Sequence, residues 1–515
     1  MADDETGKLV SLEEARQAKR RKAGTMPVPA DNDPLDYRLA FLPRNDTGNA
    51  ERLRVRVGAD LIYVDKVGWH WWDGQRWNAE SGPVRARLLV QDTAAAIGGE
   101  IEALAKAKGK KAVGPAAIDD HRAWQLDSGN AARLRAMLDV AQPHLTRQPR
   151  ELDADSWVIN VANGTLPLDG LCEALRPARR LDLITKLVDV EFDPDAKCPL
   201  FDAFINEILP NLDVRSFVRR SLGYALTGDA GEQKMWVFHG VGANGKSTLV
   251  DLVARILGDY AVSLPFSSFI ADDRKRGSEA TPDLATLPGK RFVRASEPDK
   301  GAAFSESLIK TVTGGEEMPV RRLHQDFFYF KPEFKLFLSC NHKPRIRGQD
   351  EGIWRRINLV PFTVSIPLER RDKELGDKLW AERSGVLNWL IEGLLEWRNG
   401  GLRPPAAVVA ATRDYREESD PIGLFLSSWC ERVEKAETQA TLLFEAYRLW
   451  CTGNAVEPMS QTLFGKMLPE RGFEKNKGGT IRYLGIQLTE EAGLALEEER
   501  RRRAGHRRHS ANEDD

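Results

Sequence analysis

The sequence predicts a multidomain α/β protein built around a nucleotide-binding strand–loop–helix core. Three observations predict it. A short apolar strand, Lys234-Met-Trp-Val-Phe-His239, runs straight into Gly240-Val-Gly-Ala-Asn-Gly-Lys246-Ser247, and an amphipathic helix follows. Two further strand-like segments, Arg291–Glu297 and Phe334–Asn341, each end in a polar residue. The chain has 515 residues, enough for two to four domains with cores of their own.

The bulk composition excludes some classes. Charged residues make up 30% and hydrophobic residues 42%, an ordinary globular balance, and the formal net charge is −2. No apolar run reaches eighteen residues and the start lacks a signal-peptide pattern, so the expectation is a cytoplasmic protein with no membrane partner. The five cysteines include no CxxC pair and are odd in number, which disfavours a zinc ribbon or a disulfide framework.

Taken in order, residues 1–35 form a tail with the basic run Lys19–Lys22 and several prolines. Residues 36–165 form an N-terminal α+β domain. It contains an alternating aromatic stretch, Asp60–Trp77, with Asp73-Gly74 placed as a hairpin turn, and then helices over 84–140. Trp69, Trp71, Trp72 and Trp77 are either base-stacking residues or core, and core is the expected reading. Residues 166–228 form a helical collar or linker, with Phe201, Phe204, Ile205, Ile208 and Leu209 spaced for one helix face. The strand–loop–helix core spans 229–365, a helical segment 366–432, a module of two amphipathic helices and a two-stranded ending 433–488, and a charged tail 489–515.

Gly240, Gly242, Ala243, Asn244, Gly245, Lys246, Ser247 and Thr248 are the expected phosphate cradle. Glycines let backbone N–H groups turn inward without a Cβ in the way. Lys246 offsets charge on the β- and γ-phosphates, and Ser247 offers its hydroxyl to Mg²⁺. The following helix, with Leu249, Leu252, Val253, Ile256 and Leu257 on one face, points its positive N-terminus at the phosphates. Glu297, at a strand tip, is the candidate for organising the metal or activating water. Asn341 is the candidate for orienting the attacking water. Arg355 and Arg356, next to an apolar strand, are suited to bidentate phosphate contact, and one is expected to be structural. An arginine supplied across a subunit boundary is worth about 10³–10⁵ in rate.

The segments GVGANGKST, RFVRASEPDKG, LIKTVTGGEEMPVRRLHQDFF, FKLFLSCNHKP and GIWRRINLVPF resemble the superfamily 3 helicases, above all the phage and plasmid primase–helicases and their poxvirus relatives. Upstream, NVANGTLPLDG, EFDPDAKCPLF and RRSLGYALTG resemble the domain that precedes the motor in that family. The resemblance implies an AAA+ ATPase using ATP and Mg²⁺. It further implies a homohexameric ring with sites between subunits, and translocation on single-stranded or forked DNA, 3′ to 5′. It assigns Lys246 and Ser247 to the cradle, Glu297 to the second acidic motif (with Ser247 as metal ligands), Asn341 to the sensor, and Arg355 or Arg356 to the finger. Many relatives carry two acids in that second motif, whereas Ser296 precedes Glu297 here. A DNA-contacting hairpin is implied over Met318–Phe330, with Arg321 and Arg322 on its ascending strand and His324 and Gln325 near its tip. The C-terminal part resembles a winged helix, with Lys466, Arg471, Lys475, Lys477 and Arg482 as DNA-binding candidates. Some 130 residues precede the family's helicase-associated region, without a convincing acidic cluster, so priming is expected to be absent or on a separate chain. Two alternatives stay open: a bifunctional primase–helicase, and an ATP-controlled DNA-binding or loading factor that does not unwind.

Overall fold

The computed structural model describes residues 27–169, 175–270, 282–295, 303–321, 327–476 and 478–510. The chain forms two compact units, one ending at Phe192 and one beginning at Asp193.

The first unit packs five helices, Leu35–Leu39, Asp46–Val57, Gly82–Lys106, Pro115–Ser128 and Ala131–Leu145, with a small sheet. Strands β1 (Leu61–Val64), β2 (Gly68–Trp72), β3 (Trp77–Asn78) and β4 (Thr146–Arg147) take the order β3-β2-β1-β4. The β1–β4 pair is parallel and the others antiparallel. Trp72 and Trp77 are buried and meet edge to face at 5.7 Å, so these two tryptophans are core. Strands β5 (Val158–Val161) and β6 (Gly164–Pro167) form a hairpin. Later backbone joins it, with bridges Val161–Val188 and Thr165–Arg176. A buried charged knot ties the helices together. Arg52 Nε donates to both Glu100 oxygens at 3.1 and 3.0 Å, and Glu100 is also within 2.9 Å of His121 Nε2. The Arg52 fork also donates to the Leu39 and Pro43 carbonyls, so neither charge is left unpaired.

The second unit opens with helices Pro199–Ile208 and Leu212–Tyr224, then a five-stranded sheet. Its strands are β7 (Met235–His239), β8 (Ala261–Leu264), β9 (Phe292–Ala295), β12 (Lys335–Cys340) and β13 (Ile357–Pro361). Between β9 and β12 lies a separate ribbon of β10 (Met318–Arg321) and β11 (Phe327–Phe330). The sheet order is β13-β7-β12-β9-β8, and every pair is parallel. Both faces are covered, which is why Met235–Phe238 and Lys335–Leu338 are continuously buried instead of alternating. One face meets Ile309, Val312, Trp354 and Tyr415. On the other, Phe337 stacks between Trp236 and Phe292, 4.7 Å from each.

Helix Arg383–Gly400 packs against Leu212–Tyr224 at two glycines. A Cβ on Gly223 would lie 2.2 Å from Leu394 N, and one on Gly393 2.1 Å from Arg219 O. Two buried cations join the sheet to the end of Leu212–Tyr224. Arg291 donates to Leu226 O at 2.6 Å, and Lys335 donates to Thr227 O. Both carbonyls belong to the turn that follows the helix, so the two cations fix that turn to the sheet. Burial holds the Lys335 ammonium well below its usual pKa.

The chain ends in a module ordered helix Pro421–Trp429, β14 (Cys430–Gln439), helices Ala440–Gly453 and Gln461–Glu470, β15 (Lys475–Asn476), β16 (Arg482–Leu488) and helix Glu490–Ser510. Its antiparallel sheet runs β14-β16-β15 around a core of Phe425, Leu443, Tyr447, Phe464, Tyr483 and Ile486. The sequence reading of helix, helix and two strands lacks β14. This strand is charged and almost wholly exposed, so it carries no apolar period; backbone pairing to β16 makes it a strand. No helix among the described residues is long and apolar enough to cross a membrane.

Candidate functional site

Residues 240–246 leave the C-terminal end of β7, between its neighbours β12 and β13. That is the end of a parallel sheet where ligands bind. Gly242, Ala243 and Gly245 all take positive φ, at 97°, 50° and 76°. Such a run turns successive N–H groups to one side and makes an anion-binding concavity. The loop is closely fitted below. A Cβ on Gly240 would stand 2.3 Å from both Phe362 O and Asn244 Nδ2, while one on Gly242 would meet nothing within 4 Å. Ala243 O accepts from Ile366 N at 2.7 Å, which anchors the crest of the loop.

Lys246 opens helix Lys246–Leu257 and is buried, with Gly245 as N-cap. Its ammonium donates to Gly240 O and Asn244 Oδ1 at 2.8 Å, and to Asn341 Oδ1 at 3.3 Å. The cradle lysine and the expected sensor residue, 95 positions apart, therefore share one point. They meet because β12 lies beside β7 with Cys340 opposite His239. Asn244 Nδ2 is buried and has no hydrogen-bond partner among the described residues, an orphaned donor inside the cradle. Ser247 is exposed on the helix's first turn. A polyphosphate fits this set: a concave backbone, an ammonium, an orphaned amide donor and a helix N-terminus. Among the described residues, no group of three or more His, Cys, Asp or Glu side chains could hold a metal.

Two neighbours escape the sequence reading. His239, the last residue of β7, is half-buried, and burial followed by the Lys343 and Lys246 charges holds its imidazole below the ordinary value. Lys343, two residues past Asn341, pairs with Glu418 at 2.7 Å. A titratable residue at the tip of the cradle strand is the one signal that could have found His239. The loop after Asn341 is strapped to helix Ala406–Glu418. Tyr415 Oη donates to Pro344 O, and Arg416 donates to Gln349 O at 2.8 Å and pairs with Glu351 at 2.9 Å.

The adjacent arginines separate clearly. Arg356 is buried; its Nε donates to Thr313 Oγ1 at 3.0 Å and its Nη1 to Gly352 O. It locks helix Glu306–Gly314 to the turn before β13. Arg355 is exposed, and its Nη2 donates to Gln233 Oε1 at 2.9 Å. It precedes β13, whose Ile357 lies opposite Met235 while Pro361 lies opposite His239. Arg355 therefore sits at the end of the sheet opposite its own cradle, a strand length of about 13 Å away.

Of the DNA-binding candidates, Arg321 ends β10, with its guanidinium 5.4 Å from the Phe327 ring centroid. Arg322, His324 and Gln325 lie outside the described residues, as do Glu297 and Lys477. Lys475 donates to Gly465 O within its own module, 5.6 Å from the Tyr483 ring, and Arg482 pairs with Glu437 at 3.8 Å. Arg471 forms a two-pronged bond with Asp420 at 2.7 and 2.6 Å, which is a structural role.

Fold and loop thus define a multidomain α/β protein whose parallel sheet carries a glycine-rich loop at its C-terminal edge. Three family profiles match the sequence: D5 N terminal like over residues 50–210, a family of unknown function (DUF5906) over 238–356, and Poxvirus D5 protein-like over 417–482. A protein of Acanthamoeba polyphaga mimivirus provisionally named helicase L207/L206 is 28% identical over 59% of this chain and 34% of its own length. One of Frog virus 3, provisionally named helicase 022R, is 25% identical over 49% of this chain and 28% of its own. One of African swine fever virus, provisionally named primase C962R, is 23% identical over 59% and 34%. The chain spans about a third of the length of these curated relatives. Among solved structures, the NrS-1 C-terminal region aligns with 58% of this chain and 78% of that one, at 14% identity and a TM-score of 0.37. These matches make the chain similar to the D5-like primase–helicases over its N-terminal and C-terminal parts.

Proposed function

We propose that this chain is an ATP-driven DNA helicase of the superfamily 3, AAA+ type, working as a homohexameric ring on single-stranded or forked DNA. The observation that carries the proposal is the convergence of Lys246, Asn244 and Asn341 at the C-terminal edge of the sheet, with Arg355 exposed at the opposite edge. One chain supplies a cradle at one end and an arginine at the other. In a ring, the arginine of one copy then meets the cradle of the next, and hydrolysis depends on assembly.

Bound ATP with Mg²⁺ supplies a γ-phosphoryl group open to in-line attack by water. Backbone N–H groups of residues 241–246 and the helix N-terminus hold the β-phosphate. Lys246 offsets the phosphate charge, and Ser247 directs its hydroxyl at the metal. Asn341, held beside Lys246, orients water; Glu297 remains the proposed acid. Arg355, and not Arg356, is the proposed finger, because Arg356 is committed to Thr313 and Gly352. The β10–β11 ribbon is the proposed DNA-tracking hairpin. The helix–strand–helix–helix–strand–strand order of the C-terminal module supports a winged helix, for which Lys466, Lys475 and Arg482 are the described candidates. The setting proposed is replication of a phage, prophage or plasmid in a bacterial cell, with a separate primase or origin-binding protein as partner; the resemblance in sequence supports it, whereas the named relatives are viral proteins of other hosts.

Purified protein on forked DNA with ATP and Mg²⁺ tests the reading. Strand displacement is the expected result. Template-directed oligonucleotide synthesis would favour a primase–helicase instead. ATP-dependent DNA binding without displacement would favour a loading factor and overturn the helicase proposal.

A further inference from the structure

The β10–β11 ribbon has two unlike faces. Met318 and Val320 are buried in the core beneath the ATPase sheet, and Phe328 and Phe330 pack against the same cluster. The alternate positions face outward: Pro319 and Arg321 on β10, Phe327 and Tyr329 on β11. Register puts Pro319 opposite Tyr329, and Arg321 opposite Phe327. Tyr329 is 68% exposed and Phe327 42%. The ribbon pairs with no other strand among the described residues. Its core-facing side already accounts for its folding, so the two exposed rings need another explanation.

We propose that Phe327 and Tyr329 form a stacking platform for unpaired bases of a single nucleic-acid strand, an inference that rests on the reading of this ribbon as a DNA-tracking hairpin. The geometry and chemistry agree. Residues two apart on a strand place their side chains on the same face, about 7 Å apart, so successive splayed bases can each meet one ring. Aromatic faces accept any base, which suits a motor that must pass over all sequences. The four outward positions hold one cation, Arg321, over the Phe327 ring, and no acid. That balance attracts a phosphate backbone. A second copy of the chain is the poorer occupant. Four side chains offer far less than the roughly 800 Å² per partner of a stable interface, whereas two rings suffice for two bases.

Binding to oligo-dT and to an abasic strand of equal length, which keeps the phosphates and lacks the bases, tests the proposal. The Phe327→Ala, Tyr329→Ala double variant is expected to bind oligo-dT roughly tenfold to a hundredfold more weakly and the abasic strand as wild type does. Its thermal melting should be unchanged, since both rings point away from the core. The pair Phe327→Tyr, Tyr329→Phe should keep wild-type binding. Equal binding of oligo-dT by wild type and the alanine double variant overturns the platform. If Arg321→Ala nonetheless weakens binding to both strands, the hairpin reading survives that failure; if Arg321→Ala also changes nothing, the hairpin reading falls too. Loss of assembly in the double variant, read by light scattering, would make the face a subunit contact and refute the proposal.

Discussion

Arg355→Ala and Arg356→Ala should fail in opposite ways, although the residues are adjacent and chemically identical. Removing the Arg356 guanidinium leaves Thr313 Oγ1 and Gly352 O without that donor in a buried turn. Each buried acceptor left unsatisfied costs about 1–3 kcal/mol. Relief from burying a cation offsets part of this, since burial already holds the Arg356 pKa below its usual value. A net loss of about 3 kcal/mol is expected from these terms. Domains of 150–250 residues lose roughly 2–4 °C per kcal/mol, so calorimetry on the full chain should find the second unit melting at least about 5 °C lower. Arg355 is exposed, and among the described residues its guanidinium bonds to the Gln233 side chain, so its loss should shift stability by no more than about 0.5 kcal/mol. ATP turnover should instead fall by about 10³ or more. Wild-type melting of Arg356→Ala, or wild-type turnover of Arg355→Ala, would refute the division of roles.

Three further outcomes are expected. Lys246→Ala should abolish ATP hydrolysis while circular dichroism stays unchanged; turnover at the wild-type rate would remove the cradle assignment. Gly240→Ala should block nucleotide binding, measured by titration calorimetry, because its Cβ would stand 2.3 Å from Phe362 O, whereas Gly242→Ala meets open space and carries only the strain of its positive φ. His70 is buried in β2 and its imidazole is held below its ordinary pKa by burial. The folded first unit thus binds this proton less readily than the unfolded chain. The stabilisation is full above the unfolded value of about 6.5 and is lost as pH falls through the lower folded value. Melting of that unit between pH 7.5 and 5 should fall less steeply in His70→Gln.

The sequence discloses the parallel-sheet core and its glycine-rich loop because their signals are local. Met235–Phe238 is an unbroken apolar run, the loop spacing is fixed, and Leu249, Leu252, Val253, Ile256 and Leu257 repeat with helical period and are all buried. What sequence cannot disclose is set by distant partners. Strand β14 has Glu431, Arg432, Glu434, Lys435 and Glu437 within ten residues and depends on β16 for its conformation. The backbone over 175–192 reads as part of a collar, yet it pairs with β5 and β6: Val188 N donates to Asn160 O at 2.9 Å, and Thr165 N to Arg176 O at 2.7 Å. Arg355 and Arg356 are separable only once the turn before β13 buries one side chain against Thr313 and leaves the other in solvent. Tyr329 reads as one more aromatic in a β-rich run until the register assigns it to the outward face.

A mixing experiment tests the central claim, that a cradle and an arginine from different copies make one site. Lys246→Ala and Arg355→Ala proteins, each inactive alone, are combined under conditions where mixed assemblies form, verified by differential labelling. In a mixed ring, some cradles of the Arg355→Ala copies face intact Arg355 residues on Lys246→Ala neighbours. The account predicts recovery of part of the wild-type ATPase, rising with the fraction of mixed assemblies. Proven mixed assemblies with no recovered ATPase would contradict it.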